Sequence, residues 1–545
     1  MYNIFTMVKN ASLTKTQNTA SALVKTLEEL GVESVFGYPG AAVLSIYNEL
    51  SKTEKIKHYL VRHEQAAVHA AEGYARVCGN AGVVLVTSGP GFTNTVTGIA
   101  NAYADSTPLV VLAGAVSTTN RNGKIFQNVD ISAMVQSCCK KVYTLKHDDD
   151  VVQVIKEAFL VANSGVKGPV VVALARNILE AEYYERTSKP EDEKIIVKDF
   201  SKEIKDLSEL IKNAHKPLVL LGGGCLNASE QVEKFVSKIQ CPVVSTLMGI
   251  GVYPSENRLY LGMIGLNGVE LANSALKQCD LLITLGAGFS DRSTCKNDEF
   301  TKNFKIASIN IQPAGMPVDY EIIADIKVFL EDFVHSDIKF STPEKWLMEI
   351  DSMEDSDEAV EEDFSEKLHS SFVLETVSDF TKYFEPVVVT DVGQHQMLTA
   401  QFFHFNKPRK FITSGGLGTM GFGLPASIGA YIANPDSLVL NITGDGSFQM
   451  NLQELATCRE HNIPLKIIIM NNSYLGMVRE LQEKIYNRRY QVEMINPDFT
   501  KIAEAYDLFA VRVSKKEELI PALEKAISHQ GTAIVDVVID SFENI

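Results

Sequence analysis

The apolar run "LVLNIT" ends in Gly444-Asp445-Gly446, and the next apolar run, "LKIIIM", ends in Asn471-Asn472. An aspartate between two glycines admits three readings: a turn, a nucleotide loop, or half of a cation site. The glycines let a ligand approach the main chain and free N–H groups toward phosphate oxygens. A carboxylate beside phosphates repels them unless a cation lies between, and Mg²⁺ is held in this way, by one or two protein oxygens plus the phosphates. A P-loop is excluded, because no G-K-S/T follows the glycines. The second protein oxygen has to come from the neighbouring strand end. Residues 447–470 suffice for one helix and the return strand of a βαβ unit, so an amide of Asn471 or Asn472 falls beside Asp445. That pairing favours the cation site over an ordinary turn.

The rest of the chain reads as a scaffold that brings such strand ends side by side. Apolar, β-branched runs of about five to seven residues alternate with helical patterns throughout, the signature of parallel sheets covered by helices. The fold class is therefore α/β. Two polar stretches, 183–194 and the acidic run 344–366, read as linkers or solvated helical connections. They leave three blocks, 14–185, 200–335 and 368–545. The first and third share a pattern, "LVTSGPGFTNTVTGIANAYADSTPLVVLAG" beside "NITGDGSFQMNLQELATCREHNIPLKIIIMNN", which suggests two domains of similar fold flanking a different one. The middle block opens "KPLVLLGGGCLNASEQVEKF". It lacks the last glycine of G-x-G-x-x-G and an acidic residue at the end of the second strand, so a Rossmann-like fold is a better expectation there than a bound dinucleotide.

Bulk properties narrow the partners. In a chain of 545 residues with 45% hydrophobic residues, several cores can form, three or four domains at about 150 residues each. The net charge of −17 argues against a nucleic-acid footprint. No apolar run approaches the roughly 18–20 residues of a membrane span, so a soluble protein with no membrane partner is expected. The eight cysteines include no CxxC pair, which speaks against a disulfide framework or a zinc site. The first residues lack the marks of a secretory signal, and the cytoplasm is the expected location.

The combination "GDG…NN" at this spacing resembles the diphosphate-binding motif of thiamin-diphosphate-dependent enzymes. The resemblance implies thiamin diphosphate and Mg²⁺ as cofactors, with the metal held by Asp445, Asn472 and the main-chain oxygen of Tyr474. It also names the three blocks as pyrimidine-binding, central and diphosphate-binding domains. "VRHEQAAVHAAEGYAR" carries the family's R-H-E segment, which makes Glu64 the carboxylate that hydrogen-bonds the aminopyrimidine ring and exchanges a proton with it. Taken without the resemblance, Glu64 reads equally as a solvated residue at a helix start.

Within this superfamily the likeness is nearest to the acetohydroxyacid synthase catalytic subunits, through "GYPGAAVLSIYNEL", "FQNVDI", "VGQHQM", "SGGLGTMGFGLPASIGA" and "LGMVRE". By that resemblance Met420 is an apolar wedge that bends the cofactor, and Gly393, Gln394 and His395 hold its diphosphate end. Pro39, Gly418, Gly444, Gly446, Ser447, Met477 and Val478 complete the cofactor site. Gln127 faces the reacting carbon and Lys140 pairs with the substrate carboxylate. The implied reaction joins two small 2-oxo acids: two pyruvates give 2-acetolactate and CO₂, a step of branched-chain amino-acid biosynthesis. A homodimer or homotetramer with active sites between subunits is also implied, and a regulatory small subunit is compatible with the likeness.

Departures from the pattern are specific. The family's "GARFDDR" reads "GAGFSDR", so Gly288 and Ser290 replace an arginine and an aspartate, and "DID-P" reads "NIQP", with Asn310 and Gln312. Those positions belong to the FAD region of the family's central domain, and their loss puts FAD in doubt. The family's usual tryptophan after "LGMV" is Leu481 here, and Phe92 replaces a commoner small residue, which leaves the acceptor 2-oxo acid open.

Overall fold

The structure is a computed structural model that describes residues 18–119, 124–184, 199–294, 304–357 and 367–544. The beginning of the first block (14–17), its end at 185, most of the 183–194 linker and residues 358–366 of the acidic run lie outside the described residues, as does the N-terminal stretch read for signals. The chain forms two compact units, one built on a first sheet and one on a second and third.

The first sheet contains β1 (Ser34–Tyr38), β2 (Lys57–Leu60), β3 (Gly82–Val86), β4 (Leu109–Ala115), β5 (Lys141–Thr144) and β6 (Pro169–Ala175), in the order β2-β1-β3-β4-β6-β5. The second contains β7 (Pro217–Leu221), β8 (Val243–Ser245), β9 (Tyr260–Met263), β10 (Leu281–Leu285), β11 (Lys305–Asn310) and β12 (Tyr320–Ile323), in the order β12-β11-β10-β7-β8-β9. The third contains β13 (Val387–Thr390), β14 (Phe411–Ile412), β15 (Val439–Gly444), β16 (Lys466–Asn471), β17 (Phe509–Val513) and β18 (Ala533–Val538), in the order β14-β13-β15-β16-β18-β17. All pairings between these strands are parallel.

Counted within each sheet, the first and third share one order, 2-1-3-4-6-5, while the second follows 3-2-1-4-5-6. The shared order accounts for the shared sequence pattern, and the other is the Rossmann order. Central strands such as β3, β7, β10 and β16 are buried along their whole length, which is why they read as continuous apolar runs rather than as alternation. In the first and third sheets the chain reverses direction between the first and third strands. An α/β sheet leaves a crevice at the carboxyl ends of such a pair.

One reading changes. The described part of the acidic run is a helix, Glu344–Asp357, that packs on the second sheet rather than standing free in solvent. Trp346, read as a linker residue, is 1% exposed, and its Nε1 donates to the Pro217 carbonyl at 3.1 Å. Trp346, Ile350 and Met353 follow the helical spacing of an apolar stripe, which the surrounding charges obscured.

Candidate active site

In the third sheet, the crevice between β13 and β15 is a cavity whose walls come from the turns after both strands and from the end of β16. Asp445 is 2% exposed at its floor. One carboxylate oxygen accepts from Gly446 N at 2.9 Å, and the other accepts from Ser473 N at 2.7 Å and Asn496 Nδ2 at 2.6 Å. Burial raises its pKa to about 6, against those three hydrogen bonds, and the nearby Asp536 charge adds to the rise.

The two asparagines separate. Asn471 turns away from the cavity, with its Nδ2 donating to Asp536 Oδ1 at 2.9 Å. Asn472 lines the cavity; its Oδ1 accepts from Tyr474 N at 2.9 Å, and its Nδ2 lies 3.5 Å from Gln394 Oε1. Residues 473–475 are pinned from behind, since Leu475 N donates to Val492 O at 2.8 Å and Met494 N to Ser473 O at 2.9 Å. Tyr474 therefore reaches the cavity wall on a fixed main chain.

The turn after β13 supplies Gly393, Gln394 and His395, all in the cavity wall. His395 is buried, and that burial pushes its pKa down to about 3, so the ring is neutral. Its Nε2 has no hydrogen-bond partner, a condition that buried polar atoms rarely keep unless a ligand or water meets them. Gly444 leaves room for this ring: a Cβ there would lie 2.9 Å from His395 Nδ1. Gln394 is braced by a bond from its Nε2 to the Glu543 carbonyl at 3.1 Å, and Ser447 Oγ donates to Val392 O at 2.9 Å.

Met420 enters the wall on a loop that Asp391 ties down, accepting from Gly421 N at 2.9 Å and Gly423 N at 2.8 Å. Met477 and Val478 enter from the first turn of the helix Gly476–Tyr486. Gly446 also lines the cavity, whereas Gly418 does not; it is exposed on the Met420 loop. Leu481, 54% exposed, lies one turn beyond Val478, and Phe92 is fully buried. Sequence reasoning passed over Asn496, Asp391, Ser370 and Ile539. Asn496 and Asp391 touch the chemistry only through other residues, and no local motif marks such a role.

In the first unit, Glu64 is the first residue of the helix Glu64–Cys78, capped by His63, whose Nδ1 accepts from Gln65 N at 3.1 Å. Asn94 Nδ2 donates to Glu64 Oε2 at 2.8 Å, which holds the carboxylate over the turn after β3. Gln127 (φ +57°) packs on the same turn, and Gly89 (φ +61°) is needed there because a Cβ would lie 2.7 Å from the Gln127 Cβ. Pro39, exposed after β1, precedes Gly40, which abuts Thr87 of that turn. Glu64, Gln127 and Pro39 thus gather at the carboxyl edge of the first sheet.

Lys140 does not join them, and its reading as a substrate ligand is corrected. It sits at the amino edge, just before β5, where its Nζ donates to Val161 O at 2.5 Å and Ser164 O at 2.7 Å. The orphan carbonyls at the end of the helix Val151–Asn163 draw the ammonium there. Lys466 serves the helix Lys516–Ser528 in the same way, through His529 O at 2.6 Å and Gly531 O at 2.9 Å. Lys140→Ala is expected to lower stability by about 1–2 kcal/mol, and to leave the KM for pyruvate unchanged; a thermal melt and steady-state kinetics check both.

In the second sheet, two N–H groups of the glycine turn after β7 are spent on the protein: Gly222 N donates to Leu285 O at 2.9 Å and Gly224 N to Gly286 O at 3.0 Å. Asn310 is likewise satisfied locally, with Nδ2 to Ala287 O at 3.1 Å and Oδ1 accepting from Ile311 N at 2.8 Å.

The donor set of the third-sheet cavity, one buried carboxylate, amide oxygens, small glycines and an unmet imidazole nitrogen, fits a diphosphate carried on a hard divalent cation. Comparison with known proteins agrees with this class. Residues 17–134 match "Thiamine pyrophosphate enzyme, N-terminal TPP binding domain", residues 204–333 "Thiamine pyrophosphate enzyme, central domain", and residues 391–537 "Thiamine pyrophosphate enzyme, C-terminal TPP binding domain". The acetolactate synthase large subunit of Haemophilus influenzae is 39% identical over 96% of this chain and 95% of its own length. The acetolactate synthase isozyme 3 large subunit of Escherichia coli is 38% identical over the same shares, and the chloroplastic acetolactate synthase of Arabidopsis thaliana 36% identical over 96% of this chain and 82% of its own. The chain belongs to the thiamine pyrophosphate enzymes and, within them, to the acetolactate synthase large-subunit family.

Proposed function

We propose that this chain condenses two molecules of pyruvate to 2-acetolactate with release of CO₂, as a thiamin-diphosphate-dependent carboligase of branched-chain amino-acid biosynthesis. The observation that carries the reading is the third-sheet cavity at the carboxyl ends of β13, β15 and β16, whose lining combines the buried Asp445, Asn472 and His395, a ring whose Nε2 has no hydrogen-bond partner. Thiamin diphosphate, when bound, would supply a carbon acid whose conjugate base makes and breaks the carbon–carbon bonds. The protein supplies binding, orientation and proton control. Asp445, Asn472 and Tyr474 hold Mg²⁺, and the neutral His395 with Gln394 takes the diphosphate. Glu64, oriented by Asn94, holds and returns the proton of the aminopyrimidine. Met420, Met477 and Val478 keep water from the reacting end, which favours loss of CO₂ from a charged carboxylate. Carboligation moves no net electrons, so a loss of FAD need not abolish the reaction, and the locally satisfied amide of Asn310 accords with the doubt over FAD.

A homodimer at least is part of this reading. Val478, Leu481 and Ile485 present 46%, 54% and 62% of their surfaces on one face of the helix Gly476–Tyr486, and a second copy would cover such a stripe. A regulatory small subunit fits the large-subunit likeness. Cytoplasmic placement accords with the described cysteines, all free thiols. No described helix is long and apolar enough to cross a membrane.

The test is to incubate the purified protein with pyruvate, Mg²⁺ and thiamin diphosphate, with and without FAD, and identify the products. Acetolactate in both arms is expected. Acetaldehyde alone, or no turnover, overturns the carboligase reading, and dependence on added FAD overturns the flavin-free one.

A further inference from the structure

A chain of polar side chains leads from Asp445 away from the cavity and across the third sheet. Asn496 Nδ2 donates both to Asp445 Oδ2 at 2.6 Å and to Asn471 Oδ1 at 3.0 Å. Asn471 Nδ2 in turn donates to Asp536 Oδ1 at 2.9 Å. The other oxygen of Asp536 accepts from Arg512, through Nε and Nη2, each at 2.7 Å. Asp536 is fully buried in β18, and Arg512, 43% exposed on β17, is directly opposite it in register. The path thus runs β17, β18, the end of β16, the 496 segment and the start of the helix after β15.

The direction of every bond in this path follows from its ends. An ionised aspartate only accepts and a guanidinium only donates, whereas an asparagine amide can turn either way. Because Arg512 occupies one oxygen of Asp536, the other must receive a donor, which turns the Nδ2 of Asn471 toward it. The Oδ1 of Asn471 then faces Asn496 and demands a donor, which turns the Nδ2 of Asn496 toward both Asn471 and Asp445. The Oδ1 of Asn496 accepts from Gln449 Nε2 at 3.1 Å, completing its set. A flip of either amide would set oxygen against oxygen at Asp536 or at Asp445.

We propose that Arg512 and Asp536 are remote positioning residues of the metal site: through Asn471 and Asn496 they fix which way the Asp445 carboxylate is held, and so set the affinity for the divalent cation. The inference rests on the reading of Asp445 as a Mg²⁺ ligand. Outer partners that orient a ligand commonly change metal affinity by about 10–100-fold when removed. Asp536→Asn frees the polarity of the relay, since an amide at 536 can be donor or acceptor. Arg512→Gln does the same from the exposed end with less disturbance of the core.

The experiment measures Mn²⁺ and Mg²⁺ affinity by calorimetry at saturating thiamin diphosphate, for the full chain and for Asp536→Asn, Arg512→Gln and Asp445→Ala, alongside the melting temperature of each cofactor-free protein. The expected result is a cation Kd raised roughly 10–100-fold in Asp536→Asn, a smaller rise of the same kind in Arg512→Gln, and a kcat at saturating cation within about threefold of the parent. A merely structural role would lower melting temperature without moving the Kd of the folded protein. If Asp445→Ala abolishes cation binding while folded Asp536→Asn and Arg512→Gln bind as the parent does, the relay is overturned and the metal site stands. If Asp536→Asn does not fold, the Kd of Arg512→Gln decides alone. If Asp445→Ala binds cation normally, the metal reading falls and the relay with it.

Discussion

Replacing Asp445 by asparagine is expected to abolish Mg²⁺-dependent cofactor binding, and at the same time to make the cofactor-free protein more stable at pH 8. The two effects share one cause. Asp445 is buried, with no cation among the described residues offsetting its charge, and its pKa is raised from 3.8 to about 6. The folded chain therefore holds this proton more tightly than the unfolded one. The corresponding stabilisation is fully present below about pH 4 and is lost as pH rises through 6. Above that, the cofactor-free protein carries a buried charge at a cost of about 3 kcal/mol at most, two pKa units at 1.36 kcal/mol each. Asparagine has no charge to bury, but its Nδ2 would face at least one of the three N–H donors that the carboxylate now accepts, so its gain is smaller than that figure. Cofactor-free Asp445→Asn should melt above the parent at pH 8, with the gap closing toward pH 4. Adding thiamin diphosphate and Mg²⁺ should reverse the order, because only the parent gains binding free energy. Thermal melts at both pH values, with and without cofactors, measure this; equal stabilisation of both proteins by cofactor would remove Asp445 from the metal site.

Glu64→Gln is expected to slow exchange of the C2 proton of bound cofactor by about 10²–10⁴-fold, with a matching loss of acetolactate formation. Cofactor affinity should stay near the parent value, because glutamine keeps an oxygen for the Asn94 Nδ2 that now sits 2.8 Å from the carboxylate. The substitution removes only the ability to exchange a proton. Quenched exchange in D₂O, followed by NMR of the released cofactor, separates the proton step from binding. An unchanged exchange rate would exclude Glu64 from the role proposed for it.

Legibility varied with how local the cause was. Asp445 and the Asn471-Asn472 pair were visible because a strand end, its glycines and the next strand end lie within one βαβ unit; the choice of Asn472 came from the family motif. The family segments supplied Gly393, Gln394, His395 and Met420, and the structure gathers all four around one cavity. Lys140 was misread because its partners, Val161 and Ser164, belong to a helix end whose carbonyls leave no mark in the sequence around Lys140. Trp346 was misplaced because charge density outweighed a helical stripe of three apolar residues.

The sequence by itself determined the class of fold, the kind of cofactor and the short segments proposed to meet it, since apolar period, glycine placement and donor type act over a few residues. Spacing and residue type left open which of the two adjacent asparagines faces the cavity, although the family resemblance named Asn472. Only the tertiary structure decided that, by setting Asp536 of a neighbouring strand beside Asn471 and leaving Asn472 to the site. The reason is physical: a side-chain amide takes its direction from whichever partners the sheet order brings to it, and β18 lies beside β16 only once the third sheet has formed.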